Sequence, residues 1–199
     1  MKLLIATYNA GKVQEYRELF ADLPVSLTFP IEEGLDIDID ETGSSFEENA
    51  VLKAKFFARV CGLNTLADDS GLEVMALNGA PGIFSARYAG PDATDADRYQ
   101  KLLNALKDVP WERRQARFRC VIAIATPSDT VQTTSGDVNG RISFEPHGDN
   151  GFGYDPVFYL GQYKQTIAEL PEQVKNQISH RAVAAAKAVP ILKHLLESG

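Results

Sequence analysis

The sequence predicts a single α/β domain, residues 1–199, with a mixed sheet. Short apolar strand patterns alternate with amphipathic helical patterns along the whole chain. No repeat, low-complexity tract or flexible linker divides the 199 residues, which are 44% hydrophobic and sufficient for one well-filled core. Hairpin signals in the second half add antiparallel pairing, so we expect a mixed rather than a purely parallel sheet.

The first elements are a strand, a loop and a helix. Residues 2–6 are β-type and pass through a polar loop into a segment with apolar residues at helical spacing, Val13, Tyr16, Leu19 and Phe20. Strict alternation over residues 35–40 then predicts another strand, with its acidic residues on one face, Asp36, Asp38 and Asp40.

The middle of the chain begins with a helix. Ser45 and Glu48 have the spacing of a capping box, and apolar residues follow at helical positions, so we expect a helix over 46–61. Residues 68–71, Asp-Asp-Ser-Gly, predict a turn. Residues 73–77 then predict a strand.

The second half continues the alternation. Thr94 caps a helix, and residues 118–125 form an apolar strand. Residues 131–143 predict a hairpin that contains glycines, and 156–160 predict another strand. Ser179 caps a closing, alanine-rich helix.

Charge and apolar length limit the partners and the location. The net charge is −7 and the pI is about 5.0, so no general electrostatic attraction favours DNA, RNA or anionic lipid. We expect neither a nucleic-acid nor a membrane partner, and a polyanionic substrate must be held by a local cationic pocket. The apolar run at residues 3–6 is too short for a signal segment or a membrane span, which predicts a cytosolic protein.

The first candidate for substrate binding is the loop at residues 7–12. It joins a strand to a helix N-terminus, where amides and the positive end of the helix dipole can hold phosphate oxygens. Lys12 adds a cation. The loop is not a Walker A motif, because Ala6 stands where Gly is needed and Val13 follows the lysine. The alternative is an ordinary turn with an exposed lysine.

Three carboxylates are candidates for metal binding. Asp68 and Asp69 follow a short apolar run, and Glu41 follows the acidic segment by one residue. Together they could supply oxygen ligands to Mg²⁺ and leave other positions to water and substrate phosphates. The alternative is that the aspartates cap a turn and that residues 36–41 form a solvated edge.

Lys53 lies about 60° from the centre of the apolar stripe of its helix at 100° per residue. It either extends to solvent or points into a cleft that holds an anion. His180 and Arg181 open the last helix, where the dipole disfavours positive charge, and Lys175 enlarges this cationic patch. An anion bound between these side chains would offset the unfavourable interaction of their positive charge with the helix dipole. The alternative is that the side chains are exposed, where the dipole penalty is small.

Residues 151–156 combine two glycines, two aromatics and a carboxylate before a strand. An aromatic ring can stack on a purine while a fixed carboxylate or backbone group contacts the edge of the base. A plain turn closed by Pro156 is the alternative interpretation.

Together these segments resemble the inosine/xanthosine triphosphate pyrophosphatase family. The matching blocks occur in family order and cover nearly the whole chain: Thr-x-Asn-x-x-Lys at 7–12, Glu-Thr-Gly at 41–43, Ser-Phe-x-Glu-Asn-Ala at 45–50 with Lys53, Ala-Asp-Asp-Ser-Gly at 67–71, Gly-Ala-Pro-Gly at 79–82 with Ser-Ala-Arg-Tyr at 85–88, Gly-Phe-Gly-Tyr-Asp-Pro at 151–156, and Ile-Ser-His-Arg at 178–181. One departure is Tyr8, where many relatives carry a small residue.

The resemblance implies a fold and an activity. It predicts a long, mixed, bent central sheet with flanking helices, two lobes around a nucleotide cleft, and a homodimer. The implied enzyme is Mg²⁺-dependent and hydrolyses ITP, dITP and XTP to the monophosphate and pyrophosphate. Two alternatives remain open: a related pyrophosphatase for modified pyrimidine or methylated nucleotides, and a non-catalytic nucleotide sensor.

The resemblance also implies a set of site residues. Asp69 is the expected general base, and Glu41 and Asp69 are the expected ligands of Mg²⁺. The residues expected to bind substrate are Thr7, Tyr8, Asn9, Ala10, Gly11, Lys12, Lys53, Ser70, Phe152, Gly153, Tyr154, Asp155, Lys175, His180 and Arg181.

Overall fold

The fold was determined as a computed structural model, which describes residues 1–37 and 39–197. Seven strands form one sheet in the order β2-β1-β3-β4-β5-β6-β7. β1 pairs in parallel with both β2 and β3, whereas β5–β6 and β6–β7 are antiparallel pairs. The predicted α/β class with a mixed sheet is therefore confirmed. The strands are β1 Lys2–Ile5, β2 Ser26–Thr28, β3 Asn64–Val74, β4 Gln115–Ala125, β5 Val131–Ile142, β6 Phe158–Leu160 and β7 Gln165–Thr166.

Five α-helices occur within the described residues: α1 Ala10–Leu19, α2 Phe46–Cys61, α3 Asp95–Ala105, α4 Glu172–Ile178 and α5 His180–Glu197. The predicted helix over 46–61 is confirmed at both ends. Within the same described ranges, no helix is long and apolar enough to cross a membrane.

The chain forms two compact units, and the division falls within β3, β4 and β5 and after the first residue of α5. The first unit contains Met1–Asp69, Cys120–Gly136 and the chain from Arg181 onwards. The second contains Ser70–Arg119 and Asp137–His180. The prediction of one domain over residues 1–199 stays a prediction.

Each unit has its own apolar core. In the first, α1 and α5 pack against strand residues, and the fully buried members include Leu3, Tyr16, Leu66, Ile122 and Leu192. In the second, α3 and the strand ends bury Leu72, Leu102, Leu106, Ile142 and Phe158. These cores hold the elements that carry the candidate site residues.

The cap of α2 differs from the expected reciprocal box. The Ser45 hydroxyl accepts from the Glu48 amide at 3.1 Å, as predicted. The Glu48 carboxylate, however, accepts from the amide and hydroxyl of Ser44, at 2.7 and 2.8 Å. Gly62, with φ of 66°, ends the helix in the left-handed conformation that glycine favours.

The strand predicted over residues 35–40 is wrong for the residues that the structure describes, and Asp38 lies outside them. The alternation survives as burial, because the apolar side chains are half-buried and the described aspartates are exposed. The Tyr8 hydroxyl donates to the Leu35 carbonyl at 3.1 Å and accepts from the Ile37 amide at 3.2 Å. One side chain thus satisfies backbone groups that a neighbouring strand would otherwise bind.

The turn predicted at residues 68–71 is also wrong, because β3 runs straight through them to Val74. Asp68 is only 2% exposed and Asp69 only 6%, which is compatible with a strand because nearby side chains offset their charge and hydrogen-bonding needs. The strand predicted over 73–77 accordingly ends at Val74, and Met75–Leu77 form a 3₁₀ turn.

Two predictions in the second half are corrected. The hairpin over residues 131–143 is a single strand, β5. Gly140 does not form a turn. It allows the Phe158 ring of β6 to pack against the backbone of β5, since an added Cβ would lie 2.5 Å from that ring. The strand predicted to begin at Pro156 begins at Phe158, because the proline lies in a 3₁₀ turn.

Candidate active site

The loop at residues 7–12 begins α1, and its hydrogen bonds are partly internal. Asn9 is the N-cap, and its side-chain oxygen accepts from the Lys12 amide at 3.0 Å. The Thr7 hydroxyl accepts from the Asn9 amide at 3.2 Å. Ala10 and Gly11 form the first turn of the helix. The groups of this loop that could bind phosphate, as predicted, are therefore the Lys12 side chain and the backbone amides that the Asn9 cap does not use.

Lys12 belongs to a buried charge network centred on Asp68. The Lys12 ammonium lies 2.8 Å from the Asp68 carboxylate, and Arg181 donates to the same oxygen from Nε at 3.4 Å and from Nη2 at 3.2 Å. Arg181 also donates to the buried carboxylate of Glu15. Burial opposes ionisation of Asp68, but Lys12 and Arg181 outweigh it and hold the pKa of Asp68 well below its usual range.

These contacts define what Arg181 does within the first unit. Its side chain is 1% exposed, and its guanidinium bonds two carboxylates from α1 and β3. It therefore shares its positive charge between Glu15 and Asp68. The predicted contact of Arg181 with phosphate or base stays a prediction.

Asp69 has an environment that contrasts with that of its neighbour in β3. Its Oδ2 accepts from the side-chain amide of Asn49 at 2.9 Å. Burial raises the pKa of Asp69, and the Glu41 carboxylate raises it further, while Lys53 and Asn49 oppose the increase. Two adjacent carboxylates thus have opposite shifts. Such a divergence is typical of sites where one carboxyl group exchanges a proton and the other holds charge.

Lys53 does not extend freely into solvent. Its ammonium lies 2.6 Å from the Glu41 carboxylate, and the two side chains are 14% and 23% exposed. Burial disfavours the charged amine, but Glu41, Asp68 and Asp69 more than compensate and raise the pKa of Lys53. The structure therefore brings together the predicted phosphate lysine, the predicted metal ligand and the predicted base.

The donor set fits a magnesium ion only in part. No group of three or more His, Cys, Asp or Glu side chains within residues 1–37 and 39–197 is arranged to hold a metal. Glu41 and Asp69 are nevertheless close enough for one to raise the pKa of the other. Mg²⁺ commonly uses one or two carboxylates and takes its other ligands from water and substrate phosphates. The two carboxylates fit that mode of binding.

The second unit holds another group of predicted site residues. The Asp155 carboxylate accepts from the Phe152 amide at 3.0 Å and from the Lys175 ammonium at 2.7 Å. The same ammonium lies 4.5 Å from the centre of the Phe152 ring, a cation–π contact. Gly151 has a φ of 78°, and an added Cβ would lie 2.2 Å from Asp155 Oδ2. Only glycine allows this arrangement.

The remaining predicted residues of the second unit are held by other contacts. The Gly153 amide donates to Asp95 at 2.6 Å. Tyr154 is 4% exposed and donates to the Ser85 carbonyl at 2.9 Å, so it packs in the core. Of the two aromatics in this segment, the half-buried Phe152 is therefore the better placed to stack on a base. The His180 and Phe118 rings are stacked with their centres 4.7 Å apart, and the half-buried Ser70 follows Asp69 in β3.

The sequence interpretation missed Asn49 and Glu15 as parts of the site. Asn49 is fully buried on α2, and it precedes Lys53 by four residues, so both polar side chains lie along one edge of the apolar stripe. That spacing was a usable signal. The partner of Glu15 lies 166 residues away, and no local pattern identifies such a pair.

Comparisons with known proteins agree with this fold. The Ham1 family model matches residues 3–191. A dITP/XTP pyrophosphatase of Desulforamulus reducens is 48% identical over 195 residues, 98% of this chain and 97% of the relative. A HAM1 protein from Coxiella burnetii has a TM-score of 0.89 at 45% identity, over 98% of this chain and 99% of that one. The Staphylococcus aureus Ham1 protein has a TM-score of 0.84 at 42% identity, over 100% and 99%. Because these matches span nearly the whole sequence, the chain belongs to the Ham1 family.

Proposed function

We propose that this protein hydrolyses the non-standard purine triphosphates ITP, dITP and XTP to the monophosphate and pyrophosphate, and so cleanses the nucleotide pool. The observation that carries the proposal is Asp69, a buried carboxylate with a raised pKa beside the Glu41–Lys53 ion pair. Support also comes from the similarity to proteins named dITP/XTP pyrophosphatase. A sensor would need phosphate donors but not a base of this kind.

Asp69 is the proposed general base. It takes a proton from the water that attacks the α-phosphorus, while pyrophosphate leaves. A carboxylate with a raised pKa is a stronger base than an ordinary aspartate, which suits proton abstraction. The Asn49 side-chain amide donates to Asp69 Oδ2 at 2.9 Å.

Cations offset the charge of the substrate. We propose that Lys12 and Lys53 contact the phosphates, and that Glu41 and Asp69 hold Mg²⁺. When bound, this ion would neutralise negative charge on the phosphate oxygens and on the leaving pyrophosphate. Lys53 must then turn from Glu41 towards a phosphate.

The segment at residues 151–156 is proposed to recognise the base. Phe152 provides a ring for stacking, and Asp155 with Lys175 provides fixed polar atoms beside it. A 6-oxo purine presents an acceptor where adenine presents a donor. We propose that a backbone amide, rather than Arg181, donates a hydrogen bond to this 6-oxo group, because the guanidinium is already bound to two carboxylates. Discrimination against guanine requires an unfavourable environment for its 2-amino group.

We also propose, from the family resemblance, that the protein acts in the cytosol as a homodimer. The net charge of −7 supports the absence of a general nucleic-acid partner. Sedimentation at several concentrations tests the dimer, and a monomer at all of them would contradict it.

Hydrolysis of ITP in ¹⁸O-labelled water tests the reaction itself. Attack at the α-phosphorus should place the label in IMP and none in pyrophosphate. Labelled pyrophosphate, or IDP with free phosphate, would contradict the proposed cut. Parallel assays with GTP, with modified pyrimidine triphosphates and with methylated nucleotides separate the alternative pyrophosphatase, and tight binding without turnover would identify a sensor.

Replacing Lys53 with methionine should weaken triphosphate binding. The loss of a charged contact of about 1.5–3 kcal/mol corresponds to a KM for ITP roughly 10- to 100-fold higher. The same change should strengthen binding of Mn²⁺ or Mg²⁺ to the nucleotide-free protein, because Glu41 loses its internal cation. Steady-state kinetics and calorimetry measure the two effects.

Lys55→Met is the matched control, since Lys55 pairs with Asp129 and is more exposed. An unchanged KM in the Lys53 variant would show that this lysine only neutralises Glu41.

A further inference from the structure

We propose that Asn49 is a positioning residue for the hydrolysis, and that its one amide group orients Asp69 and fixes the backbone beside Glu41. This role rests on the proposed function. Asn49 lies in one of the matching family blocks, but the sequence analysis assigned it no role, and the role proposed here rests on the two hydrogen bonds that it makes.

The two bonds run in opposite directions from a side chain that is 0% exposed. The Asn49 Nδ2 group donates to Asp69 Oδ2 at 2.9 Å. Its Oδ1 accepts from the Gly43 amide at 2.8 Å. A single rigid amide plane therefore connects the base in β3 with the segment that precedes α2.

Only a side chain with both a donor and an acceptor satisfies this position. An ionised Asp69 can only accept, and the Gly43 amide can only donate. The two partners also determine the orientation of the amide. In the reverse orientation, Oδ1 would face the Asp69 carboxylate, another acceptor, and Nδ2 would face the Gly43 amide, another donor. The orientation of the Asp69 carboxylate is thus set by a group that is itself held at its far end.

Gly43 is part of the same device. An added Cβ would lie 2.6 Å from Asn49 Oδ1 and 2.8 Å from the Glu48 Cβ, so the backbone approaches α2 as closely as glycine allows. Residue 43 follows Glu41 by two positions, and Glu41 is held at its side chain by Lys53. The amide of Asn49 therefore fixes the backbone from which this predicted metal ligand extends.

Substitution of Asn49 by aspartate tests the role, because it retains the shape of the side chain and the acceptor for Gly43 but places a second carboxylate against Asp69. It replaces the donor to Asp69 with a carboxylate oxygen. We expect kcat for ITP to fall roughly 10- to 100-fold, the range seen when groups that orient site ligands are lost. The KM for ITP should change much less, by about 3-fold or under, because Asn49 contacts no predicted phosphate ligand.

Two further variants separate positioning from general destabilisation. Gly43→Ala would place a Cβ 2.6 Å from Asn49 Oδ1, so it should reproduce the kcat loss. The double variant should lose less than the product of the two single losses. Phe57→Leu, a buried change on the same helix, should lower the melting temperature and leave the kcat of the folded protein near wild type.

The outcomes are distinct. If wild-type protein hydrolyses ITP and folded Asn49→Asp retains more than a third of its kcat, the positioning role is wrong while the proposed function stands. An equal kcat loss in Phe57→Leu would also overturn the role. If wild-type protein does not hydrolyse ITP, the proposed function is wrong and this role is lost with it.

Discussion

Replacing Asp69 with asparagine should lower kcat for ITP about 10²- to 10⁴-fold in a protein that remains folded. An amide cannot accept the proton of the attacking water, and it is a poor ligand for Mg²⁺. Its side-chain oxygen can still accept from Asn49, so the packing around β3 is preserved. Steady-state kinetics with a binding assay for a non-hydrolysable triphosphate measure the loss of turnover separately from affinity.

The direction of the pKa shift gives a second expectation for this variant. Because burial and Glu41 raise the pKa of Asp69, the ionised group costs stability once the pH exceeds its folded pKa. Asparagine removes that cost, so the variant should be at least as stable as wild type at neutral and alkaline pH. In wild type, turnover should decrease as the pH is lowered and Asp69 is protonated. The midpoint of this decrease should lie above about pH 3.9, the ordinary aspartate value.

The matched control is Asp129→Asn, which changes an exposed aspartate paired with Lys55 and Arg59. It should leave kcat unchanged. If Asp69→Asn keeps more than about a third of wild-type turnover, Asp69 is not the general base.

Replacing Arg181 with methionine should destabilise the protein by about 3–5 kcal/mol, because it leaves two buried carboxylates without their shared cation. Arg181, Glu15 and Asp68 are 1%, 4% and 2% exposed, so water cannot replace the guanidinium at low cost. Urea unfolding followed by circular dichroism measures the change. Arg181→Lys retains the charge but not the planar guanidinium, so its free energy of unfolding should lie between those of Arg181→Met and wild type.

The pH dependence follows from the sign of the Asp68 shift. Its folded pKa is lowered, so its ionised form contributes stability that is present above the unfolded value and is lost as the pH falls through the folded one. Without Arg181 the folded pKa should rise. The difference in the free energy of unfolding between Arg181→Met and wild type should therefore be largest at neutral pH and become smaller in acid.

Arg59→Met removes an exposed arginine from its pair with Asp129 and should change stability far less. An Arg181→Met variant within about 1 kcal/mol of wild type would show that Lys12 alone neutralises the buried carboxylates.

Local signals predicted the parts of the fold that local chemistry determines. α2 was predicted at both ends because Ser45 and Glu48 have capping spacing and the apolar stripe continues at helical positions to Cys61. The strand through residues 68–71 could not be predicted this way, since two adjacent aspartates before Ser and Gly have the composition of a turn. Their tolerance in a strand depends on Lys12, Arg181 and Asn49, which are distant in sequence.

The same distinction applies to the candidate site. The family motifs identified Lys53, Glu41 and Asp69 as residues for chemistry, and the structure brings them together. It was not predictable that Lys53 pairs with Glu41, or that Arg181 is held by Glu15, because such pairs depend on tertiary packing. Asn49 was overlooked because its burial and its contact with Asp69 depend on tertiary packing, although its position four residues before Lys53 was a usable signal.

The network around Asp68 also constrains the order in which the protein can fold. Arg181 lies 113 residues from Asp68 and 166 from Glu15 along the chain, so these ion pairs close very long loops. During synthesis, β1, α1 and the first half of β3 emerge well before their guanidinium. Until residue 181 arrives, Lys12 can pair with Asp68, but the cation that Asp68 shares with Glu15 is missing. The strand that carries the proposed base therefore lacks part of its buried charge network. Contacts of such high sequence separation form slowly, which predicts that catalytic competence is acquired late in folding, after much of the secondary structure.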